Sequence, residues 1–467
     1  MLPLETSPEQ FREAADRVLE LASAFLREIN SRPTFPATDG KQSLKLFRAA
    51  LPEKGLGLAA LAPLQDVIEH SRVQNGRFFG YVLGSGEPIA AVADLLASVL
   101  NQNVTAWRSG PAAVTIERTV VEWLAQAIGC GGFHGSLTGG GSSANLMGLA
   151  MAREAKTPAN EAGISAPLVV YASSEIHMSI PKSVALLGIG RRNLHRLPVD
   201  ANFKLIPAEL ERAIQADKAA GKTPIAVIAS AGTVSTGSID PFTEIAIIAK
   251  RHNLWLHIDG AYGALSAIAA PSKFEGLNLA DSISLDPHKW LYQPLDCGCL
   301  LFRDPKYARQ AFSHTGDYAK ALTDDPVEGF AFFEESMELS RRFRALRLWL
   351  SLRYHGMAAF RASVQKDLDL AQRLAESVQS RPELELLAPV ALSAVCFRHR
   401  GEGGDSEDAL HRRNAEILKR VIRRGRVYLS NATLHGRFCL RACIVNHRTT
   451  EADVDSVITE VIAAAGE

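Results

Sequence analysis

Short apolar runs alternate with amphipathic helical stretches through the middle of this 467-residue chain, and this alternation constrains the fold more than any other feature. The runs that have the length and composition of buried strands are residues 168–171, 225–228, 254–258 and 282–285. Between them, residues 208–220 and 243–252 place apolar side chains at helical spacing. The pattern predicts an α/β fold with a mainly parallel sheet, whose ligands bind beyond the carboxyl ends of the strands.

The segments on either side of this alternation predict two further units. Near the amino terminus, Ser7 and Pro8 begin a helix whose apolar side chains recur in one stripe from Phe11 to Ile29. Such a stripe requires a partner surface. We therefore predict an N-terminal helical dimerisation segment (residues 1–95), a large ligand-binding domain (96–350) and a small C-terminal α+β domain (351–467).

Composition argues against several classes of function. Lys plus Arg and Asp plus Glu both number 51, so the net charge is zero, which argues against nucleic acid or a membrane surface as a partner. The sequence has no run of 18 apolar residues that would predict a membrane span, and its first residues lack the order of a signal peptide. Six scattered cysteines indicate reduced thiols rather than disulfides or a metal site. These features predict a cytoplasmic protein without bound metal.

A glycine-rich loop, Thr138-Gly-Gly-Gly141-Ser142-Ser143-Ala-Asn145, leads directly into a predicted helix over residues 146–154. Backbone N–H groups at the amino end of a helix attract an anion. The loop lacks the Lys-Ser/Thr pair of a nucleotide P-loop. It also lacks the strand and the acidic residue at suitable spacing that a dinucleotide-binding motif requires. On its own it is either a tight turn or a site for a single phosphate.

Polar residues also follow the ends of predicted strands. His177 follows the first of the four runs, Asp259 ends the third, and Lys289 follows the fourth. Each alone has an ordinary explanation as a structural histidine, a turn aspartate or a surface lysine. Together with the glycine loop they supply a phosphate site, a ring-stacking group, an acid for a ring nitrogen and a Schiff-base lysine. These are the protein parts that pyridoxal 5'-phosphate (PLP) requires, so we expect this cofactor.

Several pieces between about residue 75 and the end of the chain carry a family resemblance. They are Gly140-Gly-Ser-Ser-Ala-Asn145, His177, His257-Ile-Asp-Gly-Ala-Tyr262, Asp286-Pro-His-Lys-Trp290, Ser340-Arg-Arg-Phe-Arg-Ala-Leu346 and Leu440-Arg441. They are similar to the motifs of fold-type I, group II PLP-dependent decarboxylases, the family of aromatic-L-amino-acid, histidine and glutamate decarboxylases. The resemblance implies an aspartate aminotransferase-like α/β fold with a mainly parallel, seven-stranded-type sheet in a large PLP-binding domain.

The resemblance also implies roles for individual residues. Lys289 holds the cofactor as a Schiff base, Asp259 pairs with the pyridine nitrogen, and His177 stacks on the ring. The other implied contacts pack beside the ring or bind its phosphate: Thr233 and Ala261 for the ring, and Gly141, Ser142 and His288 for the phosphate.

Two further positions follow from the same resemblance. In the family, a loop after the lysine carries a tyrosine that returns a proton to Cα, and an ungapped alignment from Lys289 places Tyr318 at that position. Asp286 stands where the animal aromatic enzymes have asparagine. Because an acid beside a phosphate must be protonated or turned away, Asp286 is left out of the implied phosphate ligands.

The predicted substrate pocket departs from the animal enzymes at residues 77–82 and 105–110. Phe79, Tyr81 and Trp107 suit an aromatic side chain through stacking and apolar burial. Arg108 instead favours a second carboxylate, so a glutamate- or aspartate-type substrate is an alternative, as is a diamino acid.

We therefore predict that a homodimer converts an L-amino acid, preferably aromatic, to its amine and CO₂, with Lys289, His177, Tyr318 and Asp259 as catalytic residues. One alternative is an aromatic acetaldehyde synthase. Family members have this activity when the loop tyrosine is replaced by phenylalanine. A non-catalytic scaffold of the same fold is another. Tyr318 argues against the first alternative, and the presence of both Lys289 and Asp259 argues against the second.

Overall fold

The computed structural model describes residues 4–314, 323, 325–401 and 403–467, and it begins with a helical segment. The helices before the first strand are α1 (Pro8–Glu28), α2 (Gly40–Phe47), α3 (Leu64–Glu69), α4 (Pro88–Leu100) and α5 (Pro111–Ala127). As its sequence predicts, α1 starts with a capping box in which Ser7 and Gln10 exchange side-chain and backbone hydrogen bonds. None of its described side chains is buried by the rest of the chain.

A large sheet follows, and its elements alternate as predicted. They are β1 (His134–Thr138), α6 (Gly141–Lys156), β2 (Leu168–Ser173), α7 (Ser179–Leu186), β3 (Leu194–Leu197), α8 (Pro207–Ala219), β4 (Thr223–Ser230), α9 (Phe242–His252), β5 (Trp255–Asp259), β6 (Ser282–Leu285), α10 (Pro287–Trp290), β7 (Gly298–Phe302) and α11 (Pro305–Phe312). Within the described residues the sheet has seven strands in the order β1-β7-β6-β5-β4-β2-β3. Of these seven strands, β7 alone runs in the opposite direction to the other six. The predicted α/β class with a mainly parallel sheet is confirmed.

The large sheet separates two hydrophobic cores, and β2 shows how its strands contribute to both. Successive side chains of a strand point to opposite faces. Val169 and Tyr171 therefore join the core that includes residues of α5 and α9, whereas Leu168, Val170 and Ala172 join the core that includes residues of α6 and α7. Burial on both faces explains why this strand is a continuous apolar run in the sequence.

The carboxy-terminal part builds a second, smaller sheet. Its elements are α12 (Ala345–His355), α13 (Met357–Gln379), β8 (Leu384–Leu386), β9 (Ala394–His399), α14 (Glu407–Arg424), β10 (Ser430–Leu434), β11 (Arg437–Cys443) and α15 (Glu451–Ala465). The strands are antiparallel in the order β10-β11-β9-β8. The small α+β unit is present as expected, while the exact boundaries of the three predicted units stay predictions. No helix in the described part of the chain combines the length and apolarity needed to cross a membrane.

Candidate active site

The carboxyl ends of the parallel strands open into a cavity of about 610 Å³. β1, β2, β4, β5 and β6 all end at this edge of the sheet, because they run in the same direction. The cavity wall brings together all eight predicted cofactor contacts and one predicted pocket residue: Tyr81, Gly141, Ser142, His177, Thr233, Asp259, Ala261, His288 and Lys289. Residues that are far apart in the sequence thus meet where an α/β sheet is expected to bind its ligand.

Lys289 lies in the one-turn helix α10 that directly follows β6. Its side chain is 17% exposed, and its Nζ lies 2.9 Å from Oδ2 of Asp286. A loop from the N-terminal segment crosses the backbone of this turn, where the N–H of Gly84 donates to the carbonyl of His288 at 3.0 Å. A Cβ atom at Gly84 would lie 2.6 Å from the carbonyl oxygen of Lys289, so only glycine fits at this crossing. The turn that carries the lysine is therefore held by close backbone contact with the N-terminal segment.

Asp286 faces Lys289 and also lies beside the glycine loop. Its side chain is 4% exposed, and its Oδ2 is 3.5 Å from Nε2 of His288. A Cβ atom built on Gly141 would lie 3.0 Å from the same oxygen. The Nδ1–H of His288 donates to the carbonyl of Cys297 at 2.7 Å, and burial lowers the pKa of this histidine. The acid is thus oriented towards the lysine amine rather than turned away from the site.

Asp259, the last residue of β5, is only 6% exposed and accepts protein hydrogen bonds on both oxygens. Its Oδ1 accepts from the Ser284 hydroxyl at 3.2 Å and from the Ala261 N–H at 3.3 Å, and its Oδ2 accepts from Nδ2 of Asn145 at 3.0 Å. A carboxylate offers about four acceptor positions. One position is left for a donor in the cavity, which is what a protonated pyridine nitrogen supplies.

His177 follows β2 and presents a neutral ring to the cavity. The N–H of Ser179 donates to its Nδ1 at 3.2 Å, and the Ser179 hydroxyl lies 2.9 Å from the same nitrogen. Burial lowers the pKa of His177, although the nearby carboxylate of Asp259 opposes this effect. An uncharged flat ring next to an acid suits stacking on a heteroaromatic group.

The glycine loop places the amino end of α6, a helix of 16 residues, at the cavity. A Cβ atom on Gly141 would lie 2.6 Å from the Cβ of Ala261, so the loop passes close to the opposite wall only because it carries no side chain there. Free N–H groups and the positive end of the helix dipole favour a phosphate at this position. The site therefore fits the phosphate, ring and carbonyl ends of PLP.

The predicted substrate residues differ in whether they line the cavity. Tyr81 lines the cavity, is 50% exposed and adopts a positive φ of 59°. Phe79 is fully buried in the core of the small unit, where its N–H donates to the carbonyl of Tyr428 at 2.9 Å, and it does not line the described cavity wall. Trp107 lies in a 3-10 turn (Trp107–Ser109) packed on the large core and does not line the described cavity wall. Tyr318 lies outside the described residues.

Sequence reasoning assigned no role to several residues that the structure brings to the site. Asn145 stands four positions after Gly141, so it lies on the same face of α6, and Ser284 pairs directly with Asp259 across β6 and β5. Both positions follow from element geometry once the strand order is known. Arg441 on β11 was noted only as a family match; it is 3% exposed and lines the cavity from the small unit.

Arg441 is held by backbone carbonyls and keeps one donor group unpaired. Its Nε donates to the carbonyl of Ser235 at 3.0 Å and its Nη1 to the carbonyl of Tyr81 at 3.1 Å. Its Nη2 is buried and has no hydrogen-bond partner among the described residues. A buried guanidinium with an unpaired N–H favours a carboxylate ligand.

The fold and the site together define a fold-type I enzyme that uses PLP. The chain belongs to the pyridoxal-dependent decarboxylase family, whose conserved-domain model matches residues 43–400. It is therefore a carboxy-lyase, and the predicted family and cofactor are confirmed.

Individual relatives show how far the similarity extends. The chain is 32% identical over 471 residues to the aromatic-L-amino-acid decarboxylase of Bacillus atrophaeus, covering 99% of this chain and 97% of that protein. It is 28% identical over 463 residues to the phenylacetaldehyde synthase of Petunia hybrida, covering 94% and 90%. The crystal structure of Oryza sativa TDC with PLP and tryptamine superimposes with a TM-score of 0.93 at 28% identity, covering 100% of this chain and 99% of that chain.

Proposed function

We propose that this enzyme removes the α-carboxylate of an aromatic L-amino acid and releases the corresponding amine and CO₂. The observation that carries the proposal is that the amine of Lys289, the carboxylate of Asp259 with its one remaining acceptor position and the half-exposed ring of Tyr81 all lie at one cavity. The similarity to an aromatic-L-amino-acid decarboxylase over nearly the whole chain supports an aromatic substrate.

In this proposal each cofactor contact has a defined task. Lys289 would hold the cofactor covalently and release it to the substrate amine, while Gly141, Ser142 and His288 would hold its phosphate. When bound, PLP supplies an electron sink for the electron pair that the departing CO₂ leaves behind. Asp259 holds a proton at the ring nitrogen, because its remaining acceptor position faces the cavity.

Other residues act on the substrate and on the ring face. His177 would stack on the ring of the cofactor, and Thr233 and Ala261 would pack beside it. Arg441 attracts the carboxylate of the arriving substrate through its unpaired Nη2. Tyr318 is proposed to return a proton to Cα after CO₂ has left, which completes formation of the amine.

The decisive experiment is a screen of the twenty amino acids, DOPA and 5-hydroxytryptophan for CO₂ release. We expect the aromatic substrates to be turned over fastest. We also expect the purified protein to show a visible absorption band at about 420 nm from the lysine-bound cofactor. Lys289→Ala should lose both the band and CO₂ release. Preferred turnover of glutamate or aspartate would replace this proposal with the acidic alternative.

A second candidate is an aromatic acetaldehyde synthase, favoured by the similarity to phenylacetaldehyde synthase. The two activities differ in products, since oxidative deamination consumes O₂ and yields aldehyde, ammonia and hydrogen peroxide together with CO₂. We expect the parent protein to form amine in a one-to-one ratio with CO₂ and Tyr318→Phe to shift the products towards aldehyde and peroxide. Peroxide formation by the parent protein would favour the second candidate.

We also propose that the enzyme is a homodimer in a reducing cytoplasm. Apolar side chains on α1 and α4 are exposed in the single chain, including Phe11, Leu19, Val92, Leu96 and Val99, each at least 46% exposed. Exposed apolar area of this extent is typical of an interface. All six cysteines are free and buried, which supports a location where thiols stay reduced.

A further inference from the structure

A continuous chain of buried polar side chains lies beneath the ring-binding part of the cavity and ends at Asp259. The Trp255 Nε1–H donates to Oγ of Ser282 at 2.8 Å, and that hydroxyl lies 2.8 Å from Nδ1 of His257. Nε2 of His257 lies 2.9 Å from Oδ1 of Asn145, whose Nδ2 donates to Oδ2 of Asp259 at 3.0 Å. Every member is at most 6% exposed.

The chemistry of the groups fixes the direction of every hydrogen bond in this chain. A carboxylate oxygen accepts, so the Asn145 amide turns its N–H groups to Asp259 and its Oδ1 to Nε2 of His257, and this Nε2–H donates to it. Burial lowers the pKa of His257 to about 4, so the ring is neutral and has only this proton. Its Nδ1 therefore accepts from the Ser282 hydroxyl, whose oxygen accepts from the Trp255 indole N–H. All donors point towards Asp259.

Asn145 also connects this chain to the histidine on the other side of the cavity. Its Nδ2 donates a second hydrogen bond to Oγ of Ser179 at 2.9 Å. Because that oxygen accepts from Asn145, its own proton is directed to Nδ1 of His177, 2.9 Å away. The backbone N–H of Ser179 donates to the same Nδ1, so the proton of the neutral His177 ring is on Nε2. The Asn145 amide thus contacts the acid directly and the stacking histidine through the Ser179 hydroxyl.

Close packing between α6 and the sheet makes this arrangement possible. A Cβ atom on Gly148, one turn after Asn145 on α6, would lie 2.7 Å from Nδ1 and Cε1 of His257. The glycine lets the imidazole approach the helix closely enough to reach the asparagine. A side chain at residue 148 would separate the helix from β5 and break the connection.

We propose that Asn145 is a positioning residue that orients the carboxylate of Asp259, so that the ring nitrogen of the bound cofactor holds its proton, and that it directs the Ser179 hydroxyl towards His177. His257 supports this role by fixing the orientation of the Asn145 amide. The inference rests on the cofactor and on its proposed placement against Asp259, and it is independent of which amino acid is decarboxylated.

The test follows the proton on the ring nitrogen by ¹⁵N NMR of the holoenzyme loaded with ¹⁵N-labelled PLP, titrated between pH 6 and 9. Asn145→Leu has a similar volume and no N–H groups. We expect its ring nitrogen to lose the proton at a pH about one unit lower than in the parent, a tenfold change in proton affinity. We also expect kcat to fall about tenfold with KM nearly unchanged, because ring protonation acts in the chemical step.

Matched variants separate this role from a general loss of packing. Ser179→Ala cuts only the branch to His177 and should leave the ring proton unchanged. Ser136→Ala removes another buried hydroxyl, one with no partner among the described residues, and should change neither readout.

If Asn145→Leu fails to hold the cofactor, Asn145→Ser is measured instead, since one hydroxyl proton can serve only one of the two branches. We then expect a smaller shift in the same direction. An unchanged ring-proton titration in the Asn145 variant that retains cofactor overturns the proposal. Because the readout needs bound cofactor and no substrate, a different preferred amino acid would overturn the proposed function without affecting this result.

Discussion

At the scale of single residues, Asp286 is the most unusual feature of the site. It places a carboxylate 2.9 Å from the lysine amine and beside the loop that is proposed to hold a phosphate dianion. Before the cofactor is bound, the acid has a cationic partner in Lys289. Once the lysine is engaged with the cofactor, the acid faces mainly like charge, which opposes phosphate binding. Asp286 thus couples the charge of the lysine to the affinity for the cofactor.

Asp286→Asn is therefore expected to bind PLP more tightly than the parent. Removal of one negative charge near the phosphate should lower Kd about tenfold, which corresponds to about 1.4 kcal/mol. The measurement is fluorescence titration of the apoenzyme with PLP. Asp304→Asn, which removes an exposed carboxylate far from the cavity wall, is the control. Weaker binding by Asp286→Asn would show that the carboxylate instead contributes a favourable contact.

At the scale of elements, the loop around Gly84 acts as a backbone clamp on the lysine turn. It joins the turn through Gly84 to His288 at 3.0 Å and through Glu87 to Tyr292 at 2.7 Å. The carboxylate of Glu87 also caps α4 by accepting from the N–H groups of Ile89 and Ala90. The position of Lys289 thus depends on a segment about 200 residues earlier in the chain.

Gly84→Ala should loosen this clamp. The added methyl group must displace backbone carbonyls rather than flexible side chains, which typically costs about 1–3 kcal/mol. We expect a lower melting temperature and a reduced fraction of lysine-bound cofactor in the visible spectrum. Gly131→Ala is the matched control, since a Cβ there would meet no atom within 4 Å. Equal behaviour of the two variants would contradict the role of the clamp.

Some of the strands could be predicted from the sequence and others could not. β2, β4, β5 and β6 were predictable because burial on both faces requires apolar runs, and their ends supplied His177, Asp259 and Lys289. β1 was not predictable in this way, since His134-Gly-Ser-Leu-Thr138 lacks an apolar run. Phe79 and Trp107 were assigned as aromatic residues within the predicted pocket segments 77–82 and 105–110, but contacts with distant residues decide which side chains turn inward. The contact of Asn145 with Asp259 could not be predicted without knowing which strand α6 packs against.

At the scale of the whole molecule, buried histidines make the free energy of unfolding depend on pH. Burial lowers the pKa of His257 and of His447 to about 4. In the unfolded chain a histidine has a pKa near about 6.5, so below that pH the unfolded state binds more protons than the folded state. Their contribution to stability is complete above about pH 6.5 and is lost as the pH falls towards 4.

His447→Asn should therefore reduce the loss of thermal stability between pH 7 and pH 5, measured as the difference in melting temperature. Asp367 acts in the opposite sense, since burial raises its pKa to about 7, so the difference between variant and parent is the informative quantity. His411→Asn changes an exposed histidine and should leave the pH dependence as in the parent. An identical loss of stability in His447→Asn and in the parent would contradict the burial argument.

The exposed stripe of α1 leads to a prediction about assembly. Leu19→Glu places a charge in a surface that we propose to be covered by a second copy, so the dimer should weaken or dissociate. Light scattering of the purified holoenzyme measures the mass directly. Ile247→Glu on α9 is the matched control, because that side chain is 55% exposed outside the proposed interface. A monomeric parent protein would remove the basis for the prediction.

The spread of the cavity wall along the chain determines when the protein can take up its cofactor. The wall draws on residues from Tyr81 to Arg441, and β1 pairs with β7, which is made about 160 residues later. A chain emerging from the ribosome folds from its amino terminus, so it has no complete wall until β11 has been synthesised. Cofactor loading is therefore a late event in biosynthesis, and the yield of active enzyme in a cell depends on the PLP available to finished chains.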